Sequence, residues 1–255
     1  VKAGAALELS GGITLDEPVA LEGGVLRNWS GNNTLKQKLT LNSSSTIDLK
    51  QDQLGLSPTT GDAVSVAPAS TAYNSNLRVE GPGDLLATGA INLQDGQQTL
   101  PTFGDVFLAG SGQARFQETL LIQRLVASND STAWMDQPVG SVVIGGAVSP
   151  IINLDRATLR RDATEDVTNV ELQLGAGGGA ISVQGPSQTL TWKGSISGPG
   201  AFMKEGDGTL RFASTADVTY TGNTFVKAGT LDVLSSAPTT ATCSAAGSSN
   251  LCGST

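Results

Sequence analysis

The chain has 255 residues, with 15 Lys and Arg against 23 Asp and Glu, a formal net charge of −8, and no histidine. The missing imidazole excludes Ser-His-Asp and Cys-His nucleophile systems, His-ligated zinc or haem, and a histidine pH switch. The acidic balance argues against a nucleic-acid partner, because nothing neutralises phosphates along a groove.

Charged residues make up only 15%, aromatics 4%, and glycine numbers 32. No run approaches the roughly 18 apolar residues of a membrane-spanning helix, so the remaining polarity rests on the Ser, Thr, Asn and Gln of sheet surfaces and turns. In chain order, Val1 and Lys2 open a mixed run without the apolar stretch of a secretory signal, and the start reads as a cut or processed end. Short runs follow in which Leu, Ile or Val alternate with polar residues: AALEL at 5–9, GITLD at 12–16, TLKQKLTL at 34–41, STIDL at 45–49 and NLRVEG at 76–81. Such alternation is the mark of half-buried strands. Region 101–138 interrupts it, and QETLLIQRLVAS at 117–128 fits a short helix as well as two strands, so a short helical or loop insertion is expected there. Strand runs resume with SVVIGG at 141–146, VELQLG at 170–175, AISVQG at 180–185, QTLTWKG at 188–194 and GTLDV at 229–233. The expected organisation is one all-β domain over 1–234 and a Ser-, Ala-, Thr- and Gly-rich tail over 235–255. In that tail Cys243 and Cys252 either close a small disulfide loop in an oxidising compartment or remain free thiols.

Tight hairpin signals are scarce, whereas whole phrases recur: GPG at 81–83 and 198–200, and VKAG at 1–4 and 226–229. Recurrence of phrases favours a solenoid in which each coil lies on the one before. A narrow interior would take small aliphatics and leave little room for rings. At about 20–24 residues per coil, the length predicts about eleven coils.

The segment 197–233 carries a denser pattern: Gly198 and Gly200, Phe202, Lys204, Gly206, Gly208-Thr209-Leu210, Phe212, Tyr220-Thr221-Gly222, Thr224, Val226, Gly229-Thr230-Leu231 and Val233. It resembles the autotransporter-associated β-strand repeat of large bacterial surface proteins. Asp217 stands near the position where that family has Asn, and VKAGAALEL at the start echoes the motif's closing strand. The resemblance implies a right-handed parallel β-helix, a secreted or cell-surface location and no catalytic residues. On the residues alone, Leu210, Phe212, Leu231 and Val233 are inward candidates, and Gly198 and Gly200 serve turns where a side chain would meet the adjacent coil.

Parallel β-helices also include polysaccharide-cleaving enzymes, so acidic clusters bear on the alternative reading. The densest charged stretch, with Asp155, Arg156, Arg160, Arg161, Asp162, Glu165 and Asp166, reads more simply as a solvated loop or surface ion-pair patch than as a lyase site. Asp48 with Asp52, or Asp95 with Asp105, are conceivable glycosidase couples, but spacing cannot show that they face one another. Gly-rich 175–180 lacks a P-loop lysine and reads as a tight turn. Trp29, Trp134 and Trp192 are core plugs more readily than sugar platforms. Asn28, Asn32, Asn42 and Asn129 head Asn-x-Ser/Thr sequences better explained by turn geometry than by glycosylation.

The expected function is structural: a spacer, adhesin stalk or fibre subunit, with no cofactor or metal and no catalytic residue. The chain itself, stacked head to tail through its end coils, and cell-surface or matrix glycans are the expected partners. The alternative is a β-helix that binds or cleaves polysaccharide.

Overall fold

The computed structural model describes residues 1–67, 75–94, 103–137, 142–143, 150–213 and 216–234. Every regular element among them is a strand, and the strands stack by parallel pairing into a three-faced solenoid. The first turn shows the plan. Ala6–Ser10, Thr14–Leu15 and Val19–Glu22 lie on three successive faces, and each pairs with its counterpart in the next turn, Val25–Ser30, Asn33–Leu35 and Leu39–Ser43. Nine turns of three strands end with Ile196–Ser197, Phe202–Glu205 and Thr209–Phe212. A tenth follows through a bridge from Ile196 to Val218 and the strands Thr224–Val226 and Thr230–Val233.

Ten turns lie within the described residues up to 234, against about eleven expected for the whole length. The coils are uneven: the step from Val106 to its partner Leu125 is short, whereas those from Ser45 to Leu77 and from Leu77 to Val106 are much longer. The longer steps coincide with wide sequence spacing between the third-face strands that end at Val66, Asn92 and Val143 and the first-face strands that begin at Leu77, Val106 and Ile151. Corners of a solenoid accept such insertions because they leave the ladders in register.

Alternation sets the core. On the first face Leu26, Ile47, Val79, Leu108, Ala127, Leu154 and Leu174 share one inward register position through consecutive turns. All seven are buried. Each covers the apolar surface of the residue one turn below, so burial is shared between neighbours rather than centred on one point. The narrow-interior expectation fails for rings: Phe116, Trp192, Phe202 and Phe212 are all at most 1% exposed. Small neighbours make the room, since Ala87 pairs with Phe116 in the turn before and Ala114 and Ala133 occupy the adjacent inward column.

The corner from the first face to the second shows why glycine is frequent. A Cβ on Gly110 would stand 1.9 Å from the carbonyl oxygen of Gly81, and one on Gly112 1.9 Å from that of Gly83. No side chain fits between coils that close. Where glycine is absent, Asp52, Asn129, Asp130 and Arg156 take the left-handed backbone at this corner.

Two expectations are corrected. The 101–138 region holds no helix among its described residues: Val106–Leu108, Gln113–Phe116, Leu120–Leu121, Arg124–Ser128 and Thr132–Met135 are ordinary solenoid strands. The run QETLLIQRLVAS bends at a corner between Leu121 and Arg124, which brings Leu120, Ile122 and Leu125 inward and breaks the strict alternation that a single strand would show. The repeated VKAG phrase occupies two different corners. Val1 and Lys2 pair with the third-face strand at Ala20 and Glu22, whereas Val226 closes a second-face strand. Gly4 and Gly229 both adopt positive φ, +79° and +67°, so the phrase encodes one turn conformation and does not mark one phase of the coil.

Candidate functional site

Outward side chains form columns as strictly as inward ones. On the first face Glu8, Arg27, Asp48 and Glu80 share a register position on turns one to four. Arg27 donates from Nη1 to Glu8 Oε1 at 2.6 Å and from Nε to Asp48 Oδ2 at 2.8 Å, and Lys50 Nζ lies 3.0 Å from the same oxygen. Hydrogen bonds to Asp48 and then Glu8 raise the Arg27 guanidinium above its ordinary value. Asp52 does another job: it sits at the corner with φ +56° and accepts the Gly31 N–H at 2.7 Å. Asp48 is thus held between two cations while Asp52 caps backbone at the corner. Asp105 is held by Arg124 at 2.6 Å, and Asp95 lies outside the described residues.

The charged stretch 155–166 is not a loop. It forms the end of Ile151–Asp155, all of Ala157–Arg161 and most of Glu165–Val167. Alternation from Ala157 through Leu159 turns Arg161 inward, and Glu165 pairs in register with core Leu190. Their side chains are each 7% exposed and meet at 2.6 Å. Arg161 Nη1 also donates to the carbonyls of Met135, at 3.0 Å, and Asp136 in the preceding turn. Outside, Asp155 accepts Gly177 N–H at 2.7 Å, Asp162 pairs with Arg160 at 2.7 Å, Arg156 stands 3.7 Å from Asp130, and Asp166 pairs with Lys193 at 2.6 Å. The bond from Lys193 holds the Asp166 carboxyl below its usual range. The Gly-rich 175–180 segment turns the next corner as expected.

The three tryptophans have three different environments. Trp192 is fully buried in the core of turn eight. Trp134 faces outward on the second face, in register with Arg115 before it and Arg160 after it. Both guanidinium groups lie over its ring, 3.9 and 3.8 Å from the centroid, so neither face of the indole is open to a sugar. Trp29 is the extra residue of a β-bulge between the first two turns and is 54% exposed. Alternation from the buried Asn28 turns the indole outward, and the bulge leaves it without a register partner on the first turn.

The residues of the denser motif close the C-terminal turns. Gly198, Gly200 and Gly222 stack at the first corner, and Gly206, Gly208 and Gly229 lie at the second. Thr209-Leu210 and Thr230-Leu231 open third-face strands that pair with one another. Val226 follows Thr224 on the second face, and Tyr220, with Thr221 beside it, meets Thr224 Oγ1 through its hydroxyl at 2.5 Å. Lys204 points inward and is fully buried. Its Nζ donates to the carbonyls of Glu205 at 2.5 Å, Gly206 at 2.7 Å and Ala228 at 3.2 Å. Burial pushes the Lys204 ammonium down to about 8. The four sequon asparagines divide: Asn28 is buried and donates to Gln51 O at 2.8 Å, while Asn32, Asn42 and Asn129 sit at or beside corners. Cys243 and Cys252 lie outside the described residues.

Three features escape the sequence reading: the inward Lys204, the inward pair Arg161 and Glu165, and the stacking of Trp134 between arginines. The first two carried a signal, because alternation from Phe202 or from Ala157 points the cation inside even though its chemistry argues otherwise. The third depends on which residues meet across turns of unequal length.

No family model matches the chain, and no solved structure matches it. The chain is similar to the Adhesin BmaC autotransporter of Brucella suis biovar 1 (strain 1330), 26% identical over 218 residues, a match covering 76% of this chain and 6% of that protein. The chain therefore spans a small fraction of the length of the relative it matches. That similarity and the parallel solenoid together fit a surface β-helix.

Proposed function

We propose that this chain is a structural, non-catalytic stretch of a bacterial surface or secreted β-solenoid, serving as the stalk or spacer of an adhesin of the autotransporter type and built in part from autotransporter-associated repeats. The observation that carries the reading is the unbroken first- and second-face ladders, joined to the similarity to an adhesin. Parallel ladders with a shared aliphatic interior make a stiff element that holds its ends apart. The acidic side chains described above support it as well, since they pair with arginines and lysines or cap backbone. Antibody labelling of intact producing cells is the test: staining without permeabilisation is expected, and staining only after lysis would overturn the surface assignment.

Head-to-tail association belongs to the same reading. The first- and second-face strands of the first turn pair on one side only, and Val233 and Leu234 are 50% and 54% exposed at the other end. Size-exclusion chromatography over a hundredfold dilution, with electron microscopy, is expected to show concentration-dependent rods, and monomers at every concentration would remove the fibre-subunit version. Binding or cleavage of polysaccharide is the competing reading. Exposed Trp29 is what favours it, and a glycan array with the wild type and Trp29→Ala separates the two, a Trp29-dependent signal pointing to a glycan-binding surface.

A further inference from the structure

Among the described residues, the third face is where the solenoid's ladder passes from one sheet to another. Its sheet from Val19–Glu22 ends at Val142–Val143 in turn six, and a separate four-stranded sheet starts at Glu165–Val167 in turn seven. The first and second faces run through this seam without a break. Side chains are concentrated at the seam. Trp134 of turn six lies between Arg115 of turn five and Arg160 of turn seven, each arginine held in turn by an aspartate, Asp136 at 2.8 Å and Asp162 at 2.7 Å. From the interior, Arg161 reaches back to the carbonyls of Met135 and Asp136 while paired to Glu165.

In a stacked array, cooperativity is carried by the interface between neighbouring turns, and a weakened interface divides the array into blocks that unfold separately. A buried ion pair contributes little net stability beside an apolar core, yet it is costly to break from one side, which suits it to fixing register. We infer that turns one to six and seven to ten are two cooperative blocks, coupled at the seam by a pin on the second-face strands, made of the Arg115–Trp134–Arg160 stack and the inward Arg161, which adds to the second-face ladder the coupling that a third-face ladder supplies elsewhere. The inference stands independently of what the solenoid does on a cell.

The tryptophans are placed to report it: Trp29 lies in turn two, Trp134 at the seam and Trp192 in turn eight. With 5-fluorotryptophan incorporated, fluorine NMR during urea unfolding follows each block and the pin separately. In the wild type, Trp29 and Trp192 are expected to lose their folded signals at one midpoint. In Arg161→Met, and in the milder Arg160→Lys, which keeps the charge but loses the planar stack, the two midpoints are expected to separate by at least about 0.5 M urea. Arg78→Ala, which removes an ion pair confined to a single strand with Glu80, is the control and leaves the midpoints together. The inference is overturned if the midpoints stay coincident in both pin variants, or if the control separates them equally. Arg160→Lys keeps the test open should Arg161→Met fail to fold.

Discussion

Lys204 shows how one residue can be set against its own chemistry and still be retained. Its ammonium sits in the interior column that Leu159 and Ile181 occupy in the two turns before it, and three carbonyls replace the water it has lost. Two of these belong to its own corner and the third to the next turn, so the side chain fastens turn nine to turn ten. Lys204→Met fills similar volume but strands those carbonyls, and a loss of about 2–4 kcal/mol is expected in urea unfolding. The charge also gives the fold a pH dependence. The folded value, about 8, lies below the ordinary 10.5, so between those two pH values the unfolded chain holds a proton that the folded chain has shed. Stability from this group therefore rises with pH across that window, by roughly 1–2 kcal/mol once screening is discounted. Wild type should gain on Lys204→Met between pH 7.5 and 9.5, and a constant difference between them would refute the assignment. Gly110 tests the opposite limit, contact with no room at all. A Cβ there meets the Gly81 carbonyl oxygen at 1.9 Å, so Gly110→Ala must push two coils apart, and a midpoint drop equivalent to at least about 2 kcal/mol is expected.

At the scale of the strand, alternation decides which substitutions matter. Ile152 is fully buried in the first-face core, and Asn153 beside it points out. Ile152→Ala should cost about 2–5 kcal/mol through lost burial and the cavity it leaves, whereas Asn153→Ala should stay within about 0.5 kcal/mol; equal effects would mean that the register is wrong. The same alternation explains how much was legible beforehand. AALEL, STIDL and VELQLG announce single strands because a glycine or polar turn follows each of them. TLKQKLTL does not: it holds parts of two strands, Asn33–Leu35 and Leu39–Ser43, and the chain turns between them through Lys36, Gln37 and Lys38 without glycine or proline. A corner made of long polar side chains looks like the outward half of a strand, so its bend leaves no compositional trace. The side-chain sites were less legible for a different reason. Arg115, Trp134 and Arg160 meet only because a short coil before Trp134 and a longer one after it bring all three to one register position, and unequal coil lengths are set by what the corners tolerate rather than by any local pattern.

For the molecule as a whole, the physical unit is the turn and not the residue count. Because each turn touches mainly its neighbours, removing a whole one should shorten the solenoid without destroying it, provided that the faces stay in phase. Leu77, Val106 and Leu125 occupy one register position on consecutive turns. Deleting residues 106–124 therefore sets Leu125 directly onto Leu77, restores Leu85 against Ala133, and brings Leu120's third-face partners Ile91 and Val142 together. That variant is expected to keep the β-sheet circular dichroism of the parent and a cooperative transition in each block, with a smaller denaturant slope in proportion to the surface lost; because it also loses Arg115 from the stack on Trp134, the midpoints of its two blocks are expected to separate. Deleting only residues 106–115 removes about half a turn, so first-face residues would be carried to the wrong face and inward side chains set against outward ones. It is expected to lose cooperative unfolding and to aggregate. If both deletions behaved alike, stability would not be passing from turn to turn, and the stiffness on which the stalk reading depends would have to come from elsewhere.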